Sequence, residues 1–246
     1  MTSTFYVPER ALVIAAHCDD IEFGASGTVA RWTAAGSRVT YVIVTDSSSG
    51  DNTPGADLAQ LVRTREEEQR ASAAVVGVED VRFLGYQDGI LEPTLQLRKH
   101  LTQLIRELRP NAVLTFDPET IIPEGRAYIN HPDHRATATA AAYAVFPSAG
   151  SRPIFPALLQ AGYEPHDVDR VYFFLSNHTN HTIDITTTIS QKQAALRCHA
   201  SQFGEEVIEM VTAWNAETGQ SIGGGYAESF RLMVFKAISD LSPAEG

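Results

Sequence analysis

Two short clusters in this chain carry side chains that can do metal chemistry. The first is His17-Cys18-Asp19-Asp20, directly after the apolar run Ala11–Ala16. The second is His131-Pro132-Asp133-His134-Arg135. Each pairs two ligand types three residues apart, His17 with Asp20 and His131 with His134. Three residues is about one helical turn, so each pair can face one side. An imidazole and carboxylate set suits zinc that keeps an open position for water. Zinc lowers the pKa of such a water towards about 7 and so drives hydrolysis. Asp19 stands beside the first pair as a base. A ligand set of His17, Asp20 and His134 leaves Asp19 and His131 free for proton work. A site that used every one of these side chains as a ligand is structural instead.

Each cluster also has a plainer reading. His17, Asp19 and Asp20 could be a polar histidine and a capping aspartate at a strand end. Adjacent carboxylates repel each other, however, and call for a cation or solvent. His131 could cap a helix, with Asp133 favoured at the positive end of the helix dipole. That accounts for Asp133 but not for two histidines.

The elements that must position these residues alternate in type. Strands are expected at Ala11–Ala16, Val39–Thr45, Val81–Leu84 and Ala112–Phe116, each apolar or β-branched. Between them come helical patterns at Gly27–Ala35, with Gly36 as the stop, at Asp57–Val76, ended by Gly77, and at Leu95–Leu108, closed by Arg109-Pro110. Pro132–Val145 reads as an Ala/Thr-rich helix with proline at its first position, where the missing N–H costs nothing. Pro147–His166 reads as an ordered connection. Val171–Leu175 and Thr182–Ile185 are further strands, Ser190–His199 a further helix, and Leu241–Gly246 a fraying end.

The fold class implied is α/β, with a mainly parallel sheet and helices on both faces. Ligands in such sheets bind outside the carboxyl ends of the strands. His17–Asp20 and the loops Asp46–Ala56, Gly85–Glu92 and Asp117–Asn130 all follow strands, so all should gather on that edge. Both clusters are then at the C-terminal edge of the sheet.

Composition narrows the function. The chain has 246 residues, 43% hydrophobic and 20% charged, enough for one large domain spanning 1–246. Its core is expected at residues 11–147, with 148–238 completing the sheet and the rim of the site. A net charge of -11 with no basic block disfavours nucleic acid and anionic membrane as partners. No signal pattern and no membrane-length apolar run occur. Two cysteines make no disulfide framework, so a reducing, cytoplasmic setting is expected.

The paired motifs resemble those of the PIG-L/LmbE family of zinc-dependent N-deacetylases, which act on N-acetylglucosaminyl conjugates. Ala16-His17-Cys18-Asp19-Asp20 stands in the place of the family's Ala-His-Pro-Asp-Asp, and His131-Pro132-Asp133-His134 in that of its His-x-x-His. Val44-Thr45-Asp46, Arg65-x-x-Glu68, Leu84-Gly85-Tyr86-Gln87-Asp88-Gly89 and Lys192-x-x-Ala195-Leu196-x-x-His199-x-Ser201-Gln202 resemble further family segments. The likeness covers residues 11–204. It implies a Rossmann-like α/β fold in which His17, Asp20 and His134 hold one zinc, or another divalent metal, per chain. It further implies Asp19 as general base, and His131 as the protonated partner of the oxyanion or leaving amine, oriented by Asp133. Arg65 and Asp88 match positions that contact the sugar. The implied substrate is a small amino sugar or conjugate carrying an N-acetyl or short N-acyl group. Oligomers are common in the family, while the sequence itself shows no interface.

Several residues keep a second reading. Arg65 could instead pair with Glu68 one turn on. Cys18 replaces the usual proline, either as a soft ligand or as a small buried side chain. Tyr128 does not align with the tyrosine some members use, and His181 and His199 are read first as packed residues. Two other functions compete. A dinucleotide-binding enzyme would put Asp46 on a ribose, but only Gly24 and Gly27 follow the first strand, without the G-x-G-x-x-G order. A non-catalytic metal-dependent sugar-binding or regulatory protein would not need Asp19.

Overall fold

The computed structural model describes residues 5–125 and 127–235, so the fraying expected at Leu241–Gly246 lies outside the described residues. The elements run β1 (Arg10–Ala15), α1 (Asp20–Gly24), α2 (Ser26–Ala34), β2 (Arg38–Thr45), α3 (Leu58–Val75), β3 (Asp80–Tyr86), α4 (Leu95–Leu108), β4 (Ala112–Phe116), α5 (Pro132–Tyr143), α6 (Pro156–Gln160), β5 (Arg170–Phe174), β6 (His181–Asp184), α7 (Ile189–Arg197), α8 (Glu205–Gly219) and β7 (Ala227–Val234). They form an α/β fold around one sheet with strand order β3-β2-β1-β4-β5-β7-β6. The first five strands in that order are parallel, and β7 runs antiparallel to both its neighbours.

Side chains on a strand alternate between faces, and the core divides accordingly. Val13, Ala15, Tyr41, Ile43, Leu114, Phe116, Tyr172 and Phe174 pack on one face with α2, α3 and α7. Leu12, Ile14, Val42, Val44, Val113 and Phe173 pack on the other with α4 and α5. With both faces covered, the central strands read as unbroken apolar runs.

The strand order explains where the site lies. From β1 the chain moves outward to β2 and β3, then returns to place β4 on the other side of β1. The reversal opens a crevice at the carboxyl ends of β1 and β4. His17 follows β1, and the long loop that leads to His131 follows β4.

The anticipated helix ends are found. Gly36 adopts φ 95 just after α2, a left-handed value that glycine takes without strain. Thr94 caps α4 by accepting from Leu97 N, and Pro132 occupies the first turn of α5. Four elements have no counterpart in the sequence pattern: α1, α6, α8 and β7. The first is five residues long, too short for a periodic signal. In β7 the expected alternation is inverted, because Glu228 is buried while Met233 and Val234 are exposed.

Candidate metal centre

The loop after β1 is tied to the end of β2. Thr45 donates to Ala16 O through both its backbone N and its hydroxyl, at 2.9 and 2.8 Å. Cys18 N donates to Ser47 Oγ at 2.9 Å. The Cys18 side chain is buried in the core cluster with Ile21 and Ala25, so it is the small packed residue of the two readings. Burial pushes its thiol up to about 12. Asp19 takes φ 93. It sits at the N-cap position of α1, yet its side chain makes no capping hydrogen bond.

The second cluster is built by a helix start. His131 is the N-cap of α5, its Nδ1 accepting from Asp133 N at 3.2 Å. One turn later His134 projects from the same end. Its ring stacks on Phe116 at 4.1 Å between centroids, and its Nδ1 lies 2.9 Å from Asn130 Oδ1. That bond leaves Nε2 as the free ring nitrogen of His134, the usual arrangement for a metal-binding imidazole. Asn130 was not singled out from the sequence; its i,i+4 relation to His134 is the signal that points to it.

The two clusters meet. Asp20 spans them, with Oδ1 3.0 Å from His134 Nε2 and Oδ2 3.4 Å from His17 Nδ1. Ligand atoms on one tetrahedral zinc lie about 3.3–3.5 Å apart, as follows from bonds of about 2.0–2.2 Å; each ring lies about that far from Asp20, but each faces a different one of its oxygens. His17, His131 and His134 also offer nitrogens that all lie within 4.8 Å of one another, as do ligand atoms of His17, Asp88, His131 and Asp133. The donor set is nitrogen and carboxylate oxygen, without thiolate. His17 and His131 belong to both of these groupings, and Asp20 to neither.

Asp133 is fully buried and accepts from Gly89 N at 2.7 Å and Leu91 N at 3.1 Å. Its carboxylate is 4.0 Å from His131 Nδ1, so its backbone N–H, not its carboxylate, makes the direct bond to that ring. Asp88 lies 3.0 Å from His17 Nε2 and accepts from Ser49 N at 2.8 Å. Arg65 Nη1 donates to Ser47 O at 2.7 Å. Glu68 turns instead to Ser201, accepting from its N and Oγ. The i,i+3 pair that Arg65 and Glu68 could have made does not form. His199 has no exposed surface and faces Glu22, while His181 lies against Tyr172. Tyr128 is exposed and lines a cavity of about 200 Å³ that opens beside Asn130 and His134.

The charges polarise one another. Burial and the neighbouring Asp20 carboxylate push Asp19 up to about 7, against the pull of His199, His17 and Arg65. Burial also disfavours the Asp20 anion, but His134 and then His17 overrule it and hold that carboxyl far below its ordinary range. Asp88, resisting burial through His17, falls to about 2. His17 is raised well above an ordinary histidine, because Asp133, Asp20 and Asp88 together outweigh its burial. Burial first, then the charge of His17, lowers His131.

Known proteins share this architecture. The family model described as PIG-L, GlcNAc-PI de-N-acetylase, matches residues 12–145. A diacetylchitobiose deacetylase of Thermococcus kodakarensis is 33% identical over 230 residues, covering 92% of this chain and 83% of that protein. A probable N-acetyl-alpha-D-glucosaminyl L-malate deacetylase 2 of Bacillus anthracis is 29% identical over 92% of this chain and 96% of its own. The solved structure of the N,N'-diacetylchitobiose deacetylase of Pyrococcus horikoshii, bound to an inhibitor, superposes with a TM-score of 0.84 at 28% identity, covering 95% of this chain and 89% of that one. With a family model matching over half its length and both histidine clusters inside the match, this chain belongs to the PIG-L family of deacetylases.

Proposed function

We propose that this protein removes the N-acetyl group from an amino sugar within a small neutral saccharide or conjugate, with zinc as its metal. The observation that carries the reading is the Asp20 bridge between His17 and His134 beside a base that caps nothing. His17, Asp20 and His134 would hold the ion. A divalent metal there supplies water activation and positive charge facing the carbonyl oxygen.

The chain's own residues do the proton work. Asp19 takes a proton from the attacking water, and its pKa of about 7 suits a general base at neutral pH. The water oxygen bonds to the acyl carbon. His131 is bonded at Nδ1 by Asp133 N–H, so the neutral ring carries its proton on Nε2. That N–H donates a hydrogen bond to the developing oxyanion, and the proton taken up by Asp19 passes to the departing nitrogen. The C–N bond then breaks, giving acetate and a primary amine. Asp133 holds the turn by gripping Gly89 and Leu91.

Substrate recognition is assigned to two sides. The reacting sugar faces Asp88 and Arg65, which fasten the Ser47–Ser49 loop. The remainder enters the cavity beside His134, where Phe23, Tyr128 and Trp214 offer faces for a second ring. No helix of the described residues is long and apolar enough to cross a membrane. The two free cysteines support a reducing, cytoplasmic setting.

Metal analysis combined with amine release from N-acetylglucosamine, N,N'-diacetylchitobiose and an N-acetylglucosaminyl malate tests the reading. We expect turnover of one of the first two, an Asp19→Ala variant that keeps metal but loses about 10²–10⁴ in rate, and a His134→Ala variant that loses metal. Full metal occupancy with no acetate from any compound favours a non-catalytic, ligand-binding protein.

A further inference from the structure

Four polar side chains are buried where α1, α3 and the end of α7 meet. Glu22, Gln69, Ser72 and His199 have no exposed surface. Gln69 and Ser72, one turn apart on α3, both donate to Glu22 Oε1, at 3.1 and 2.7 Å. His199 Nε2 stands 3.3 Å from Glu22 Oε2. His199 Nδ1 has no hydrogen-bond partner. A buried carboxylate and imidazole left partly unsatisfied are costlier than apolar side chains of similar volume. Packing alone therefore does not account for them.

The other end of Gln69 does. Its Oε1 accepts from Asp19 N at 2.9 Å. Asp19 is a non-glycine residue at φ 93, a backbone state that costs about 1–3 kcal/mol and persists only when its surroundings impose it. An amide is suited to this place because it has both an acceptor and a donor. A glutamate at 69 would repel Glu22, and an apolar residue would hold neither partner. The segment carrying His199 is itself fastened to α3, since Ser201 bonds Glu68, the neighbour of Gln69, through N and Oγ at 2.7 and 2.6 Å.

We propose that Gln69 is a positioning residue for the catalytic base: its acceptor end fixes the Asp19 backbone, and Glu22, faced by His199, locks its donor end. The C-terminal His199-x-Ser201-Gln202 pattern thus serves the site without touching it. The inference rests on Asp19 being the base.

The test is Gln69→Met, alone and combined with Asp19→Ala. In the single variant, metal content and KM stay within about twofold of the parent while kcat falls about 10- to 100-fold, the cost of a misplaced catalytic group. In the metal-free protein, the Asp19 amide exchanges hydrogen at least about tenfold faster. In the Asp19→Ala background the second substitution adds no further loss. A kcat within about twofold of the parent, a loss that tracks metal content, or equal losses in both backgrounds each overturn the proposal. If Gln69→Met does not fold, Gln69→Asn, which retracts the same amide, is read by the same criteria. An Asp19→Ala variant at the parental rate overturns the base assignment; an inactive Asp19→Ala beside an unimpaired Gln69→Met overturns only the role of Gln69.

Discussion

The two histidine-bearing loops reach the same crevice by opposite means. The loop after β1 holds Asp19 in a left-handed conformation, and its contacts come from far along the chain: Ser47, Gln69 and the end of β2. The loop before α5 has proline at the helix start, a histidine that caps, and an asparagine four residues before the histidine it orients. The first loop is imposed by tertiary structure; the second starts from a locally encoded helix cap, to which Asp133 adds its distant bonds to Gly89 and Leu91. The strained loop leaves the Asp19 carboxylate uncapped and close to that of Asp20. The relaxed one holds His131 as its helix cap.

The sharpest way to break this contrast is to weaken the distant support of the first loop. Lys192 and Glu228 are both buried, 2.6 Å apart. Lys192 Nζ also donates to Phe23 O, and Glu228 accepts from Gly27 N and Thr28 N. The pair braces the α1–α2 junction from α7 and β7. Lys192→Met strands a buried carboxylate, and we expect a loss of about 3–5 kcal/mol in denaturant unfolding. Adding Glu228→Gln should recover part of it. An effect below about 1 kcal/mol means that the junction is held locally after all.

Strain and charge at Asp19 give the next largest effect. Its pKa of about 7 in the folded chain lies above its unfolded value of about 4. Between those values the unfolded chain has released a proton that the folded chain retains, so rising pH favours unfolding. Asn removes that loss and tolerates the left-handed backbone better. In the metal-free protein, the pH-dependent advantage of Asp19→Asn should be absent below about pH 4, grow through about pH 7 and level off at about 1–3 kcal/mol. Urea titrations at several pH values check it, and an advantage independent of pH sinks the account. The variant should be far less active.

The contrast also explains what the sequence shows and what it hides. His131, Pro132 and the α5 start are visible because a helix N-terminus has a short-range grammar. The buried runs of β1, β2 and β4 are visible because both faces of the sheet are covered. The two clusters could be paired across the chain because parallel strands send their carboxyl ends to one edge. Gln69 was hidden, since an amide within Arg65–Arg70 looks like part of a solvated helix face. β7 was hidden because its buried Glu228 finds its partner, Lys192, on another element. Arg65 and Glu68 looked like a local pair, yet each bonds a different distant loop.

On the local side, Asn130→Ala should lower metal affinity about 10- to 100-fold while leaving the fold intact, because His134 loses the contact that fixes its ring. Chelator competition measures it. In the parent, affinity should rise about tenfold per pH unit up to the raised pKa of His17, since the metal must displace that proton. An affinity flat across neutral pH would place His17 outside the ligand set.

The smallest effect is the most diagnostic of local encoding. Proline at the first turn of α5 restricts the unfolded chain and gives up no hydrogen bond that a helix start needs. Pro132→Ala should therefore cost only about 0.4–1 kcal/mol, with the His131 cap, metal affinity and turnover near parental values. The flanking cap and the Asn130–His134 bond hold the loop without it. If this one substitution instead released the metal, the second loop would depend on a single rigid residue. It would then be as finely balanced as the first, and the division of the site into an imposed half and a self-forming half would fail.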